Sequence, residues 1–596
     1  MAGKTKLELT WIGKDDRPRL EPRILIEEPE FSYHAEARRE GDQFDNMLIH
    51  GDNLLALKAL ETDSNVRGRV KCIYIDPPFN TQQAFENYDD GIEHSLWLSL
   101  MRERCIILHR LLSEDGSMFV HIDDNELGYI IPVLDEIFGR RNRINVITFK
   151  QSSVSGPKAG NKGIVTTNNF IIYYAKNRGK WTPGRVYTAI GRDDRYSKII
   201  KNSESPFFEW QLESLKDEFC REKCVQNWSE AKKKFADKIE SRLEEFVLQR
   251  AARVVRTARV APKDVNEDAR DALAQSNSVP NRVFCSQREG KEPYYFINGE
   301  QLIFYSAKTK TLDGKITTAA PLTNLWDDLL SNNLHAEGGV SFPNGKKPEA
   351  LIKRCLELAT SEGDLVLDSF GGSGSTAAVA HKMKRRWIVV ELGEQAVTHI
   401  QPRLKRIVAG QDNTGISNAM NWVGGGGYRF FKLAPSLLQK DKWGNLVINK
   451  DYNPEMLTEA MCKHFNYIYA PSTEQYWMHG KATENAFIYV TTNSLTFDQL
   501  KVLSDEVGEE RSLLVCCMAY EVAGDNLTNL TIKKIPRVVL DRCEWGKDDY
   551  SLKIAALPLE DEEPDEPEEA DAKQNKSKKI KASVAQTSLF DGSEEN

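Results

Sequence analysis

The clearest hydrophobic patterns in the chain are short and end abruptly. Val70-Lys71-Cys72-Ile73-Tyr74-Ile75 has the length and β-branched content of a buried strand. It stops at Asp76-Pro77-Pro78-Phe79-Asn80, where two prolines remove backbone donors and fix the chain's direction. Leu365-Val366-Leu367 predicts a second buried strand, followed by Asp368 and the turn Ser369-Phe370-Gly371-Gly372-Ser373-Gly374. Ser375 to Ala380 is a small-residue run suited to a helix packed closely on a sheet, and Trp387 to Val390 predicts the next strand, with Glu391 at its end. Residues 229–260 read as one long helix, with Arg250, Arg253, Arg256 and Arg259 recurring near its end. After Gly424-Gly425-Gly426-Gly427, read as a hinge, residues 428–558 alternate short strands such as Ala486 to Val490 with helices and predict a compact α/β domain. From 559 onward the chain is too charged and too poor in apolar residues to fold alone.

These patterns place chemistry at strand ends, where open α/β sheets hold ligands. Asp76 offers a carboxylate and Pro77 a carbonyl with a fixed direction, while Phe79 adds a flat apolar face and Asn80 an amide. Two acceptors and an aromatic plate suit a planar ring carrying an exocyclic amino group. Around Asp368 the order is strand, glycine turn, helix, strand, acid, which is that of a nucleotide-binding βαβ unit with Glu391 placed for ribose hydroxyls. No Gly-Lys-Ser/Thr ends the turn, which argues against a phosphate-gripping loop. The Phe-x-Gly-x-Gly form favours a nucleoside ligand over a dinucleotide.

Together the two motifs resemble the DNA amino-methyltransferases that use S-adenosylmethionine. Asp76, Pro77, Pro78 and Phe79 look like their catalytic Asp-Pro-Pro-Phe/Tyr, and Phe370 to Gly374 like their cofactor turn. The catalytic motif comes first, by nearly 300 residues. That order marks the family's beta group, in which a target-recognition region lies between the motifs, and the pattern is most similar to modification subunits of type III restriction systems. Leu48-Ile49-His50-Gly51-Asp52-Asn53 resembles the Gly-Asp-Asn strand end of the family, and Trp97 to Leu112 with Gly116 to Val120 its helix and strand behind the site. Phe170 to Asn177 resembles the last strand before the recognition region. Leu325 to Asp328, Phe342-Pro343 and Lys347-Pro348-Glu349 resemble the entry to the cofactor half. The resemblance implies a doubly wound, mostly parallel α/β sheet with helices on both faces. It puts Asp368, Phe370, Gly371, Gly372, Gly374, Glu391, Asp52 and Lys347 at the cofactor, with no metal. It implies methyl transfer to adenine N6 in double-stranded DNA by base flipping. Cytosine N4 is the alternative target, though the acid at Asp76 leans to adenine, since the cytosine enzymes more often carry serine there; a vestigial DNA-reading subunit is the other alternative. A homodimer and a separate ATP-dependent restriction subunit are the expected partners.

The domain expectation is an arm at 1–44, a catalytic half at 45–180, a target-recognition insertion at 181–320, a cofactor half at 321–412, the α/β domain at 428–558 and the tail at 559–596. Within the insertion, Arg282, Arg288, Lys291, Tyr294, Tyr295 and Phe296 interleave cations with aromatics, which suits nucleic acid and equally suits a strand edge. The arginine series at 250–259 reads first as a solvated helix face, with DNA contact as the alternative. The net charge of −8 looks wrong for a DNA binder until it is located. The tail holds twelve acids against five lysines, leaving about −1 for the rest, and a nearly neutral body with basic patches can bind phosphates. Near its end, Gln586-Thr587-Ser588-Leu589-Phe590 resembles the peptide by which bacterial replication proteins dock on the sliding clamp, with Thr587 departing from the usual leucine. The ten cysteines are irregularly spaced and read as reduced cytoplasmic thiols, Cys220 and Cys224 included, rather than as a zinc site. No Pro-Cys dipeptide supplies the nucleophile used for methylating cytosine at carbon, and no apolar run is long enough to span a membrane.

Overall fold

The structure, a computed structural model, describes residues 8–78, 90–152, 163–329, 337–342, 346–521 and 527–551. Its main sheet is built from β1 (Leu25–Glu27), β2 (Asn46–His50), β3 (Val70–Ile75), β4 (Leu112–Ile122), β5 (Arg143–Lys150), β6 (Asn168–Ala175), β7 (Leu325–Trp326), β8 (Leu365–Asp368), β9 (Arg386–Glu391) and β10 (Gly427–Leu433). Across the sheet the order is β1-β10-β2-β9-β8-β3-β4-β6-β5-β7, and Tyr33–His34 adds a short strand beside β10. From β10 to β4 every pair is parallel; β6 runs antiparallel to both neighbours.

Both faces are covered. Helices α1 (Asn53–Glu61) and α2 (Asp90–Leu111) bury Leu54, Leu57, Trp97 and Leu108 against Ile73, Ile75 and Val120. On the other face α3 (Glu349–Ala359), α4 (Ser375–Lys382) and α5 (Gln401–Val408) pack on Cys72, Tyr74, Val366 and Val389. Strands sandwiched in this way cannot alternate apolar with polar, which is why β3, β8 and β9 read as continuous apolar runs. The chain leaves β8 towards β9 on one side and β3 towards β4 on the other. The sheet therefore reverses its winding between β8 and β3, and a crevice opens at their carboxyl ends.

The expected hinge at Gly424 to Gly427 is instead a tight turn into the main sheet. Gly425 N–H donates to the Val408 carbonyl, and a Cβ on Gly424 would meet the Gly410 backbone at 2.7 Å. Gly427–Leu433 is β10, parallel to β2, so the C-terminal α/β unit begins beyond it. That unit carries a five-stranded sheet in which Ala486–Val490, Ser512–Cys517 and Leu530–Lys534 run parallel, with helices Pro454–Phe465 and Phe497–Val507.

The long helix expected at 229–260 does not form. Trp228–Phe235 ends at Ala236, whose φ of +43° no helix accommodates; Ile239–Gln249 is a second helix, and Val254–Ala258 is a strand. The fully buried, β-branched Val254 and Val255 decide the last point, because a strand can pair on both sides, with Lys198–Ile200 and with Glu300–Phe304. The four arginines consequently share no face. Arg250 lies over the Phe246 ring and pairs with Glu222, Arg253 donates to the carbonyls of Ile200 and Lys201, Arg256 covers Tyr196, and Arg259 is exposed. The interleaved cations and aromatics at 282–296 form a hairpin, Phe284–Arg288 with Lys291–Ile297, at one edge of the insertion's six-stranded sheet. At the other end of the chain, Trp11 Nε1 donates to Ser99 Oγ at 2.8 Å, and Leu9, Trp11 and Leu20 pack on the core under α2. No described helix is long and apolar enough to cross a membrane.

Candidate active site

The crevice between β3 and β8 receives an aspartate from each strand. Asp76 follows β3 directly. Its Oδ2 accepts from Lys347 Nζ at 2.7 Å, while Oδ1 is buried and has no hydrogen-bond partner among the described residues. An unsatisfied buried carboxylate oxygen is costly, so it marks a place for a donor from a ligand. Burial pushes the Asp76 carboxyl up, and the Lys347 ammonium opposes the rise. The turn behind it is pinned: the Pro78 carbonyl accepts from Trp97 Nε1 at 2.9 Å, and Trp97 is fully buried in α2. Phe79 and Asn80 lie outside the described residues.

Asp368, at the end of β8, is spent differently. Oδ1 accepts from Phe370 N–H at 2.9 Å and Oδ2 pairs with Thr376 Oγ1 at 2.6 Å. Burial drives this carboxyl up to about 8, with the neighbouring Asp76 and Glu391 adding to the rise. It thereby shapes the glycine turn. Gly374 enters α4 at φ +77°, and a Cβ there would lie 2.9 Å from Ile400 Cγ2; a Cβ on Gly371 would lie 2.7 Å from Val389 Cγ1. Gly372 differs: its φ is +52°, but a Cβ would meet nothing closer than the Phe370 carbonyl at 3.9 Å. One side of the turn is packed on the sheet and the other is open at Gly372. Glu391 joins it, accepting from Gly372 N–H at 2.7 Å and Gly393 N–H at 2.9 Å, and burial raises its carboxyl. Each oxygen accepts one backbone donor and keeps a lone pair for a hydroxyl. Phe370, Gly371, Gly372, Gly374, Asp368 and Glu391 are thus brought together, and an open glycine edge beside a half-satisfied acid fits the nucleoside part of S-adenosylmethionine.

Two residues expected at the cofactor stand elsewhere. Asp52 is enclosed: Oδ1 caps α1 by accepting from Leu55 N–H, and Oδ2 accepts from Tyr550 N–H, with Arg104 3.6 Å away. Its carboxylate is consumed by the protein. Lys347 lies on the catalytic-motif side of the crevice, paired with Asp76.

Sequence reasoning missed what holds Lys347 there. Two residues on, Glu349 accepts from Lys382 Nζ and Arg403 Nη2, both at 2.7 Å, and from Ile416 N–H at 3.1 Å; Lys382 also pairs with Asp412 at 2.7 Å. All four side chains are essentially fully buried. Lys346, pushed down to about 8 by burial and Arg403, donates to the carbonyls of Glu337 and Val340. Beneath Asp76, the buried His121 bridges Tyr74 Oη (3.0 Å) and Asn169 Nδ2 (3.2 Å); burial, then the Lys347 charge, holds it well below the usual histidine range and so neutral. The only signal for the Glu349 cluster is that His381-Lys382 continues the small-residue helix that packs on the sheet.

A family model described as "DNA methylase" matches residues 70–402. The chain is 32% identical over 463 residues to the probable type III restriction-modification enzyme HindVI Mod subunit of Haemophilus influenzae, covering 73% of this chain and 60% of that protein. It is 24% identical over 456 residues to the type III restriction-modification enzyme EcoP15I Mod subunit of Escherichia coli, covering 66% and 65%. A crystal structure of an M1.HpyAVI–SAM complex aligns with 60% of this chain and 98% of that one, at 12% identity and a TM-score of 0.29. The chain spans about three fifths of the length of the curated relatives it matches. The family match takes in more than half of the residues, and the chain belongs to the DNA methylase family.

Proposed function

We propose that this DNA methylase family member transfers a methyl group from S-adenosylmethionine to adenine N6 in double-stranded DNA. The observation that carries the reading is the buried, unpartnered Asp76 Oδ1 beside an open glycine edge, at the crevice where the sheet reverses its winding. Phe370, Gly372 and Gly374 would line the cofactor and Glu391 its ribose hydroxyls, with Asp368 shaping the turn. When bound, S-adenosylmethionine supplies an electrophilic methyl group. The protein's part is to make a poor nucleophile attack. The adenine amine lone pair is delocalised into the ring. Asp76 Oδ1 and the Pro77 carbonyl, accepting its two hydrogens, would pull the nitrogen towards tetrahedral geometry and free the lone pair. Lys347 acts as a positioning residue: it opposes the rise that burial gives the Asp76 carboxyl and turns the carboxylate so that Oδ1 is left for the substrate. A duplex hides the amine in the stack, so the base must flip out, and Phe79 is the residue proposed to stack on it.

Relatives named as Mod subunits support a modification role alongside a separate ATP-dependent restriction subunit. The insertion at 181–320 is assigned to target recognition, with base-specific contacts there and sequence-neutral phosphate contacts shared with the core. Nucleoside analysis of DNA incubated with the protein and S-adenosylmethionine tests the chemistry. N6-methyladenine is the expected product; N4-methylcytosine, or no methylated base, would overturn it. Calorimetry tests the cofactor site, since Glu391→Ala with Gly372→Leu should abolish S-adenosylmethionine binding. The clamp-docking segment Gln586 to Phe590 lies outside the described residues.

A further inference from the structure

The C-terminal end of the described chain returns to the glycine turn. Tyr550 donates its backbone N–H to Asp52 Oδ2 at 2.9 Å, and its carbonyl accepts from Arg104 Nη2 at 3.2 Å. The same guanidinium donates through Nε to Asn53 Oδ1, and Asn53 Nδ2 donates to the Ser369 carbonyl at 2.7 Å. Ser369 lies between Asp368 and Phe370, so an unbroken hydrogen-bonded path runs from Tyr550 through Arg104 and Asn53 into the turn. Its charges are out of water: the Arg104 and Asp52 side chains are 2% and 0% exposed. The Tyr550 ring packs on the same apolar cluster as Phe370.

The segment that carries Tyr550 is tied to the C-terminal unit and the N-terminal arm. Arg542 Nη1 donates to the His464 carbonyl at 2.6 Å, at the end of helix Pro454–Phe465. Gly546 N–H donates to Ser436 Oγ at 2.9 Å. Arg19 donates to the Asp541 carbonyl and Arg23 to Asp548 Oδ1.

We propose that residues 541–551 form a clasp through which the C-terminal α/β unit fixes the glycine turn and so sets its affinity for S-adenosylmethionine. This rests on the assignment of that turn to the cofactor. Opening the clasp leaves Asp52 and Arg104 buried with fewer partners. They must then rearrange, because a desolvated charge cannot stay unpaired. Asn53, which Arg104 orients, then loses its hold on Ser369, and the turn is no longer held in its binding shape.

The full chain can be tested with two variants cutting opposite ends of the path. Tyr550→Pro removes the N–H given to Asp52, which anchors Tyr550 where its carbonyl meets Arg104, and Asn53→Ala removes the link to Ser369. By calorimetry each should weaken S-adenosylmethionine binding about tenfold, and the double variant no further, since both interrupt one coupled path. In the cofactor-free protein, amide exchange at Phe370–Gly374 should quicken in both variants while β4 amides are unchanged. Losses that add in the double variant, or unchanged affinity and exchange in Asn53→Ala, would overturn the clasp, the latter even if Tyr550→Pro fails to fold. Wild-type protein that binds no S-adenosylmethionine would refute the cofactor assignment instead, and the exchange pattern would still decide whether the path holds the turn.

Discussion

Asp76 follows β3 and Asp368 closes the neighbouring parallel strand β8, and both are pushed up by burial. Their partners separate them. Asp368 has both oxygens engaged by its own turn, through Phe370 N–H and Thr376, and no cation pairs with it. Asp76 has a cation on one oxygen and, among the described residues, no partner on the other. A carboxyl with both oxygens bonded within its own turn serves as scaffold. A carboxyl held by a lysine, with an acceptor left bare, is equipped to take a donor from outside. Two aspartates at the ends of neighbouring strands are therefore divided by where their second partner comes from.

The sharpest way to break this comparison is to remove the bare acceptor. Asp76→Ala should lower the rate of methyl transfer at least about a thousandfold, the scale expected for an electrostatic contact made to reacting atoms. The affinity for S-adenosylmethionine should stay within about twofold if this carboxylate faces the target amine, as proposed. Asp76→Asn should be nearly as damaged despite keeping the shape, since an amide lacks the charge. Single-turnover kinetics with a saturating DNA site measures both. Near-normal turnover in either variant would show that Asp76 is scaffold as well.

Removing the cation should have a smaller effect that depends on pH. Burial raises the Asp76 carboxyl and Lys347 lowers it, so Lys347→Met must raise it further. Transfer needs the ionised form, present above that pKa. The acid limb of the rate profile should thus move to higher pH, with the rate recovering above the raised pKa. A uniform loss at every pH would mean that Lys347 only props the fold.

Asp76 and Asp368 could be located from the sequence because each closes a run of apolar residues that has no other use than a buried strand. Their difference could not. Lys347 is far from Asp76 along the chain, and nothing in Lys346-Lys347-Pro348-Glu349 distinguishes the lysine anchored to carbonyls from the one aimed at the catalytic motif. The Glu349, Lys382 and Arg403 cluster was invisible for the same reason: charged residues on helices read as solvated until the fold buries them together. The broken helix at 229–260 shows the converse. Its helical pattern held over Trp228–Phe235 and Ile239–Gln249, with a break at Ala236, but the pairing partners of Val254 and Val255 come from segments before and after it. Gly427–Leu433 was assigned to the wrong unit because a glycine run looks like a linker, whether it swings free or is packed against Val408 and Gly410.

The gentlest test acts on the other aspartate. Asp368→Asn should preserve the turn, because the amide oxygen can still accept from Phe370 N–H and the amide nitrogen can donate to Thr376 Oγ1. If Asp368 is scaffold, methyl transfer should fall by less than about threefold when the cofactor is saturating, in contrast to the same exchange at Asp76. The larger signature lies in stability. With a folded pKa of about 8 against an ordinary value of 3.8, the native state keeps a proton that the unfolded chain releases. Asp368 therefore contributes most below pH 4, and that contribution is lost as pH rises through about 8. Asparagine carries no such proton. Between pH 5 and pH 8 the stability of the variant should decline less than that of the wild type, by roughly 3–4 kcal/mol, as urea unfolding at the two values would measure. Parallel declines would show that Asp368 is ionised in the folded protein, and the contrast with Asp76 would then rest on geometry rather than charge.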